Sequence, residues 1–222
     1  MNTLVYFKKY IADVLSRYTL PKLLSRELVK QKIILDVGCG RTSSLKGITR
    51  DEKYLVGLDF YKPYLVELNN LDIYDECVLG DARKLVRIFQ LKSFDCVISV
   101  EVLEHLTKND GMIMVDQMKK IAKDKCVLIT PNGLLLTYPG YKDNPNERHI
   151  SGWSYYELKK LGFKVHGVGG IKFFWKIKNG QVVFRFKKRI FIILNEILKP
   201  LAYYFPIMAF RLFAVYNFKE NK

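Results

Sequence analysis

The sequence predicts an α/β fold: a mostly parallel, doubly wound sheet with helices on both faces. Two observations carry this expectation. The run Ile33-Ile34-Leu35-Asp36-Val37-Gly38-Cys39-Gly40 reads as a buried central strand entering a sharp turn, where glycine lets the backbone approach a ligand closely. Further short apolar runs then recur, separated by segments with helical spacing, as right-handed βαβ units require.

The elements follow in order. Residues 3–18 carry Leu4, Phe7, Ile11, Val14, Leu15 and Tyr18 as an apolar stripe at helical spacing, and Pro21 opens a second helix to about Lys30. The first predicts a helix covering an edge of the fold in preference to a membrane anchor. The second strand, Tyr54–Leu58, ends in Asp59, and 42–49 before it reads as a short helix or irregular stretch. Pro63 opens a short helix, Glu76–Leu79 forms strand three before Gly80-Asp81, and Phe94–Ser99 forms strand four. A helix over about 110–122 precedes strand five, Cys126–Thr130, which Pro131-Asn132-Gly133 stops. Residues 134–150, rich in Gly, Pro, Asn and Tyr, predict a long surface loop, a kind of segment that is usually functional. Ser154 and Glu157 spell a capping box, and 163–168 forms strand six.

The acids cluster where strands end. Asp59 lies 19 positions beyond Gly40, suited to hydrogen-bond ribose hydroxyls, and Asp81 reads as an acceptor for the adenine amine in preference to the cap of a helix starting near Arg83. Together, Asp36-x-Gly38-x-Gly40, Asp59, Gly80-Asp81-Ala82, Thr130-Pro131-Asn132-Gly133 and the Leu-Gly-Phe at 161–163 resemble the class I S-adenosylmethionine-dependent methyltransferases. The resemblance covers roughly residues 30–170. It implies a Rossmann-like sheet of seven strands with an antiparallel last strand, assigned to 212–217. It also implies S-adenosylmethionine as cofactor, surrounded by Asp36, Gly38, Cys39, Gly40, Asp59, Phe60, Asp81, Ala82 and Val100. The chain departs from the family at Thr42, where a third glycine is common. That departure is the one support for a reading as a non-catalytic, membrane-bound module that keeps the fold.

The implied division is a helical cap over 1–30, a cofactor-binding core over 31–170, a basic, aromatic helical insertion over 171–208, and a last strand and tail over 209–222. Methyl transfer from a sulfonium is an in-line displacement, so the protein aligns the reactants and deprotonates the acceptor. His105, Glu101 and His149 are the candidate catalytic residues, since a histidine near neutral pKa suits a general base. This reading uses no metal. An alternative rests on Glu101-x-x-Glu104-His105 with His149, which resembles the divalent-metal site of small-RNA 2′-O-methyltransferases and ubiquinone-pathway O-methyltransferases.

Composition narrows the partners. The net charge is +15, yet residues 164–222 hold 12 Lys/Arg against 2 Asp/Glu while residues 1–163 hold 25 against 20. An anionic partner for the tail follows, either membrane lipid or nucleic acid. The segment after strand four is not Asn/Asp-Pro-Pro-Tyr/Phe, the family motif for methylating amino groups of bases or glutamine, and no RNA-binding module is visible. The reading favoured is therefore O-methylation of a small or lipid-linked acceptor, with an anionic membrane surface met through 171–208 and RNA 2′-O-methylation as the alternative. Isolated Cys39, Cys77, Cys96 and Cys126 and an N-terminal stripe broken by Lys8, Lys9 and Asp13 predict a cytoplasmic protein, peripheral at the membrane if that surface is used. Nothing in the sequence fixes the oligomeric state.

Overall fold

The computed structural model describes residues 3–41, 43–47, 52–135, 144–179 and 181–220. Thr42, residues 48–51 of the expected short element and 136–143 of the expected loop lie outside them. Helices α1 (Thr3–Ser16) and α2 (Leu20–Leu28) precede β1 (Ile33–Val37) and β2 (Tyr54–Asp59). Then come α3 (Lys62–Asn69), β3 (Glu76–Leu79), α4 (Leu85–Ile88), β4 (Phe94–Val100), α5 (Lys108–Ile121) and β5 (Ala122–Pro131). The chain continues through α6 (Tyr155–Lys160), β6 (Lys164–Ile171), the strands β7 (Trp175–Lys178) and β8 (Gln181–Phe184), helices α7 (Arg189–Ile197) and α8 (Lys199–Tyr204), and β9 (Ala209–Asn217).

Seven strands form one sheet in the order β3-β2-β1-β4-β5-β9-β6, with β9 antiparallel to both neighbours and the other pairings parallel. Strand order reverses between β1 and β4, which opens a crevice at their carboxyl ends. Alternation along the strands divides the core. Leu35, Val37 and Val97 face α5 and α6, while Ile34, Cys96 and Ile98 face α2 and α3. On α5, Met114, Val115, Met118 and Ile121 are buried at helical spacing. The helix begins two residues before the position predicted because Thr107 caps it, accepting from the Asp110 amide. The capping box at Ser154 and Glu157 is present as expected.

One expectation needs correcting. The 171–208 insertion is not wholly helical, since it opens with the antiparallel hairpin β7–β8. The alternating Trp175-Lys-Ile-Lys and the β-branched Val182-Val183 suit strands, and Asn179 takes the positive φ (51°) that a tight turn demands. No helix among the described residues is long and apolar enough to cross a membrane.

Candidate active site

The turn after β1 is set by two glycines at positive φ, Gly38 (71°) and Gly40 (61°). The Gly38 and Cys39 amides both donate to the Leu58 carbonyl, at 2.7 and 3.1 Å. A Cβ on Gly38 would lie 2.4 Å from Val102 Cγ2, so only glycine fits there. Asp59, at the end of β2, accepts from the Gly40 amide (3.0 Å) and the Tyr61 amide (2.8 Å). Burial raises its pKa against the pull of those amides.

Asp36 sits elsewhere. It is 1% exposed and points into the core, accepting from the Tyr74 hydroxyl at 2.6 Å, while Tyr74 in turn meets Ser43. Burial pushes Asp36 up to about 7; the Tyr74 hydrogen bond opposes this and the Asp59 charge adds to it. Cys39 is likewise buried, close to Gly57, with burial raising its thiol. These two side chains therefore lie behind the turn, as does half-buried Val100, which packs on the core.

A cavity of about 320 Å³ opens at the crevice. Gly38 and Gly40 form one wall, Asp59, exposed Phe60, Asp81 and Ala82 another, and Glu101, Val102 and His105 a third. Asp81 takes the capping role that the sequence places second, accepting from the Arg83 amide at 2.9 Å, and also pairs with the Arg83 guanidinium, which holds its pKa below the usual range, while it lines the cavity. Tyr64 closes the cavity from α3 by donating to Glu147. Although the chain is strongly basic, the described residues of this wall include Asp59, Asp81, Glu101, Asp110 and Glu147 against a single Arg83. An acidic cavity suits a cationic ligand. Asp59 also keeps lone pairs for hydroxyl donors, a carboxylate having about four acceptor sites. Side-chain-free glycines, a carboxylate for a diol and an acidic wall fit a nucleoside sulfonium.

The Glu/His cluster forms the far wall. Segment 149–153 reaches it because the Ile150 and Ser151 amides donate to the Glu104 carbonyl, at 2.8 and 3.1 Å, and Trp153 Nε1 donates to the Leu103 carbonyl at 3.3 Å. His105 and His149 meet edge to face with ring centroids 4.8 Å apart. Of the two, His105 lines the cavity and His149 stands behind it. Burial and then the His149 ring push His105 down to about 4, and burial lowers His149 as well. His149 Nδ1 lies 2.7 Å from the Leu135 carbonyl and so donates, leaving Nε2 toward Glu104 Oε1 at 4.0 Å. Glu104 is buried, accepts from Thr130 Oγ1 at 3.0 Å, and is pushed up to about 8 by burial and by the Glu101 charge. Its Oε1 and His105 Nδ1 have no hydrogen-bond partner among the described residues.

Three of the four alternative metal ligands thus come together: ligand atoms of Glu104, His105 and His149 all lie within 4.8 Å of one another. Glu101 does not join them. It takes a positive φ of 57° and pairs with Arg211, whose Nε lies 2.7 Å from Oε1. Sequence reasoning missed Arg211 because it arrives from β9, 110 positions away. It also missed Tyr74 and Tyr64, whose roles come from contacts with residues 38 and 83 positions away that no local pattern signals.

Residues 35–130 match a family model described as a methyltransferase domain. Among solved structures, the chain is similar to a SAM-dependent methyltransferase from Archaeoglobus fulgidus, with 15% identity over 93% of this chain and 99% of that one and a TM-score of 0.55. It is also similar to the PH0226 protein from Pyrococcus horikoshii OT3, with 17% identity over 90% and 88% and a TM-score of 0.58. Magnesium protoporphyrin IX methyltransferase from Synechocystis PCC 6803, solved with bound SAM, is similar at 13% identity over 96% and 81%, with a TM-score of 0.50. Comparison with the curated proteins returned no match. The solved structures speak for the fold and the family model for the chemistry: residues 35–130 carry a methyltransferase domain, and S-adenosylmethionine is its cofactor.

Proposed function

We propose that the protein transfers methyl groups to oxygen, on a small or lipid-linked acceptor. When bound, the cofactor supplies an electrophilic methyl group on a sulfonium. The observation that carries the reading is His105, an imidazole that lines the cavity beside Glu101 with the His149 ring edge-on to it, a group of the type that takes a hydroxyl proton. His149, edge-on behind it, supports the ring, and Glu101, held by Arg211, shapes the acceptor side. In this reading Asp59 receives ribose hydroxyls, Asp81, Ala82 and Phe60 flank the base, and the Gly38–Gly40 turn lies against the methionine part. Asp36, Cys39 and Val100 act from behind by holding that turn.

The test is incubation of the purified chain with radiolabelled S-adenosylmethionine and separate lipid, polar-metabolite and RNA extracts. Label in the lipid or polar fraction, lost in His105→Ala and stable to mild alkali as an ether, is the expected result. Label on carbon or nitrogen would overturn the O-methyl reading.

One observation favours a second reading. The unpartnered Glu104 Oε1 and His105 Nδ1, with His149 beside them, suit a divalent cation, because a carboxylate and two imidazoles are borderline ligands for such ions. A hydroxyl polarised by that ion, as in ribose methylation, would then be the acceptor. Calorimetric titration with Mn²⁺ and Zn²⁺ separates the readings: stoichiometric binding that His149→Ala abolishes supports the metal.

A further inference from the structure

Helix α7 leaves most of its apolar side chains on the water-facing side. Its buried polar residue is Asn195, whose Oδ1 accepts from the Ile171 amide at 3.0 Å. Meanwhile Ile190, Ile192, Ile193, Leu194 and Ile197 are 39–62% exposed. A solvated helix turns its apolar stripe to the core. This one packs Phe191 inward on Phe186, ring centroids 4.3 Å apart, and seats Asn195 beside it while the isoleucines stay outside; a Cβ on Gly170 would come within 2.2 Å of Asn195 Oδ1, so the seat of the amide depends on glycine. The apolar surface continues past α8 through Phe205, Ile207 and Met208, all exposed.

Charge says what this face meets. Residues 171–208 hold eight Lys/Arg and one acid, Glu196, which pairs with Lys199. Lys187, Lys188 and Arg189, all exposed, stand at the entrance to α7. Apolar side chains facing outward beside a cationic cluster match the interface of an anionic bilayer, with the helix lying in the surface and not crossing it.

The face is also tied to the active site. Asn132, just beyond β5, donates through Nδ2 to the Pro206, Ile207 and Ala209 carbonyls at 3.0, 3.0 and 2.9 Å. Two residues after Ala209, Arg211 reaches Glu101 in the cavity wall. The exposed tip therefore sits at the carboxyl edge of the sheet, where the cavity opens.

We infer that the outward face of α7 and the 205–208 turn dock on an anionic lipid bilayer, so that an amphiphilic acceptor reaches the cavity from the membrane surface. The acceptor clause rests on the O-methylation reading above; the docking clause stands without it.

The test is co-sedimentation of the full chain with vesicles of phosphatidylglycerol and phosphatidylcholine, against phosphatidylcholine alone, across a salt series. Binding is expected to the anionic vesicles only and to weaken with salt. It should fall at least about tenfold in Ile193→Asp/Ile197→Asp and about fivefold for each of Lys187→Glu and Lys188→Glu, a basic residue at an anionic leaflet being worth about that factor. Equal binding to neutral vesicles overturns the proposal, as does no binding at all. A dimer that Ile193→Asp splits, with no vesicle binding, also overturns it and assigns the face to a second copy. S-adenosylmethionine binding, read by calorimetry, should be unchanged in every variant. Vesicle binding by a chain that transfers no methyl group to oxygen would remove the function proposed above and leave the docking surface standing.

Discussion

The turn after β1 and helix α7 both break an ordinary burial rule, in opposite senses. Around β1, an aspartate sits in the core at 1% exposure, and two glycines hold positive φ. On α7, isoleucines face outward while an asparagine is inside. The first departure concentrates polar groups under a cavity; the second leaves apolar area without cover. Glycine turns and buried acids gather where a ligand must be approached closely, whereas exposed apolar surface gathers where a partner must be met. The difference also separates two kinds of cost. Buried Asp36 weakens the fold and should register in stability, while exposed Ile193 should not.

The comparison can be broken most forcefully where the two regions share a support. Phe213 on β9 is among the largest fully buried side chains, on the core face that also holds Ile34 and Ile98. Phe213→Ala should cost about 3–5 kcal/mol of stability by denaturant unfolding, with the loss spread over both regions. An effect near 1 kcal/mol would mean that β9 packs more loosely than described.

Asp36 sharpens the first half. Its folded pKa is raised from 3.8 to about 7, so its stabilising neutral form is complete below about pH 4 and is lost as pH rises through 7. Wild type should lose stability over that window relative to Asp36→Asn, by up to about 4 kcal/mol at about 1.4 kcal/mol per pH unit. The groups facing Asp36 are Tyr74, Asp59 and Cys39; parallel thermal melts of the two proteins between pH 4 and 8 check the difference.

Gly38→Ala should weaken S-adenosylmethionine about 100-fold, some 3 kcal/mol, because the new Cβ meets Val102 at positive φ. Adding Val102→Ala should restore part of the affinity, as calorimetry would show. The smallest effect belongs to the second region. Ile193→Ser should change stability by less than about 0.5 kcal/mol, since the residue is already 53% exposed.

Much of the framework was legible in the sequence. The apolar run into Asp36-Val37-Gly38 announced β1, the box at Ser154 announced α6, and acids at strand ends marked the crevice, because those signals are local. Asp81 could be read as cap or cavity residue, and it is both. The partners of the acids were not legible. Tyr74 beneath Asp36 and Arg211 beside Glu101 arise from strand order and register, which no window of sequence contains. The hairpin at 175–184 was not legible because each of its strands is only four residues long, too short for a period-two pattern to stand out. The outward isoleucines of α7 were legible as apolar but not as exposed, since a one-sided helix reads the same whichever way it faces.

The most direct measurement is a calorimetric titration of S-adenosylmethionine into wild type and Asp59→Ala. The crevice between β1 and β4, gripped by the Gly40 amide and the Asp59 carboxylate, predicts one-to-one binding in wild type and at least about a tenfold loss in the variant. Equal affinity in the two proteins would contradict the placement of the cofactor in this cavity.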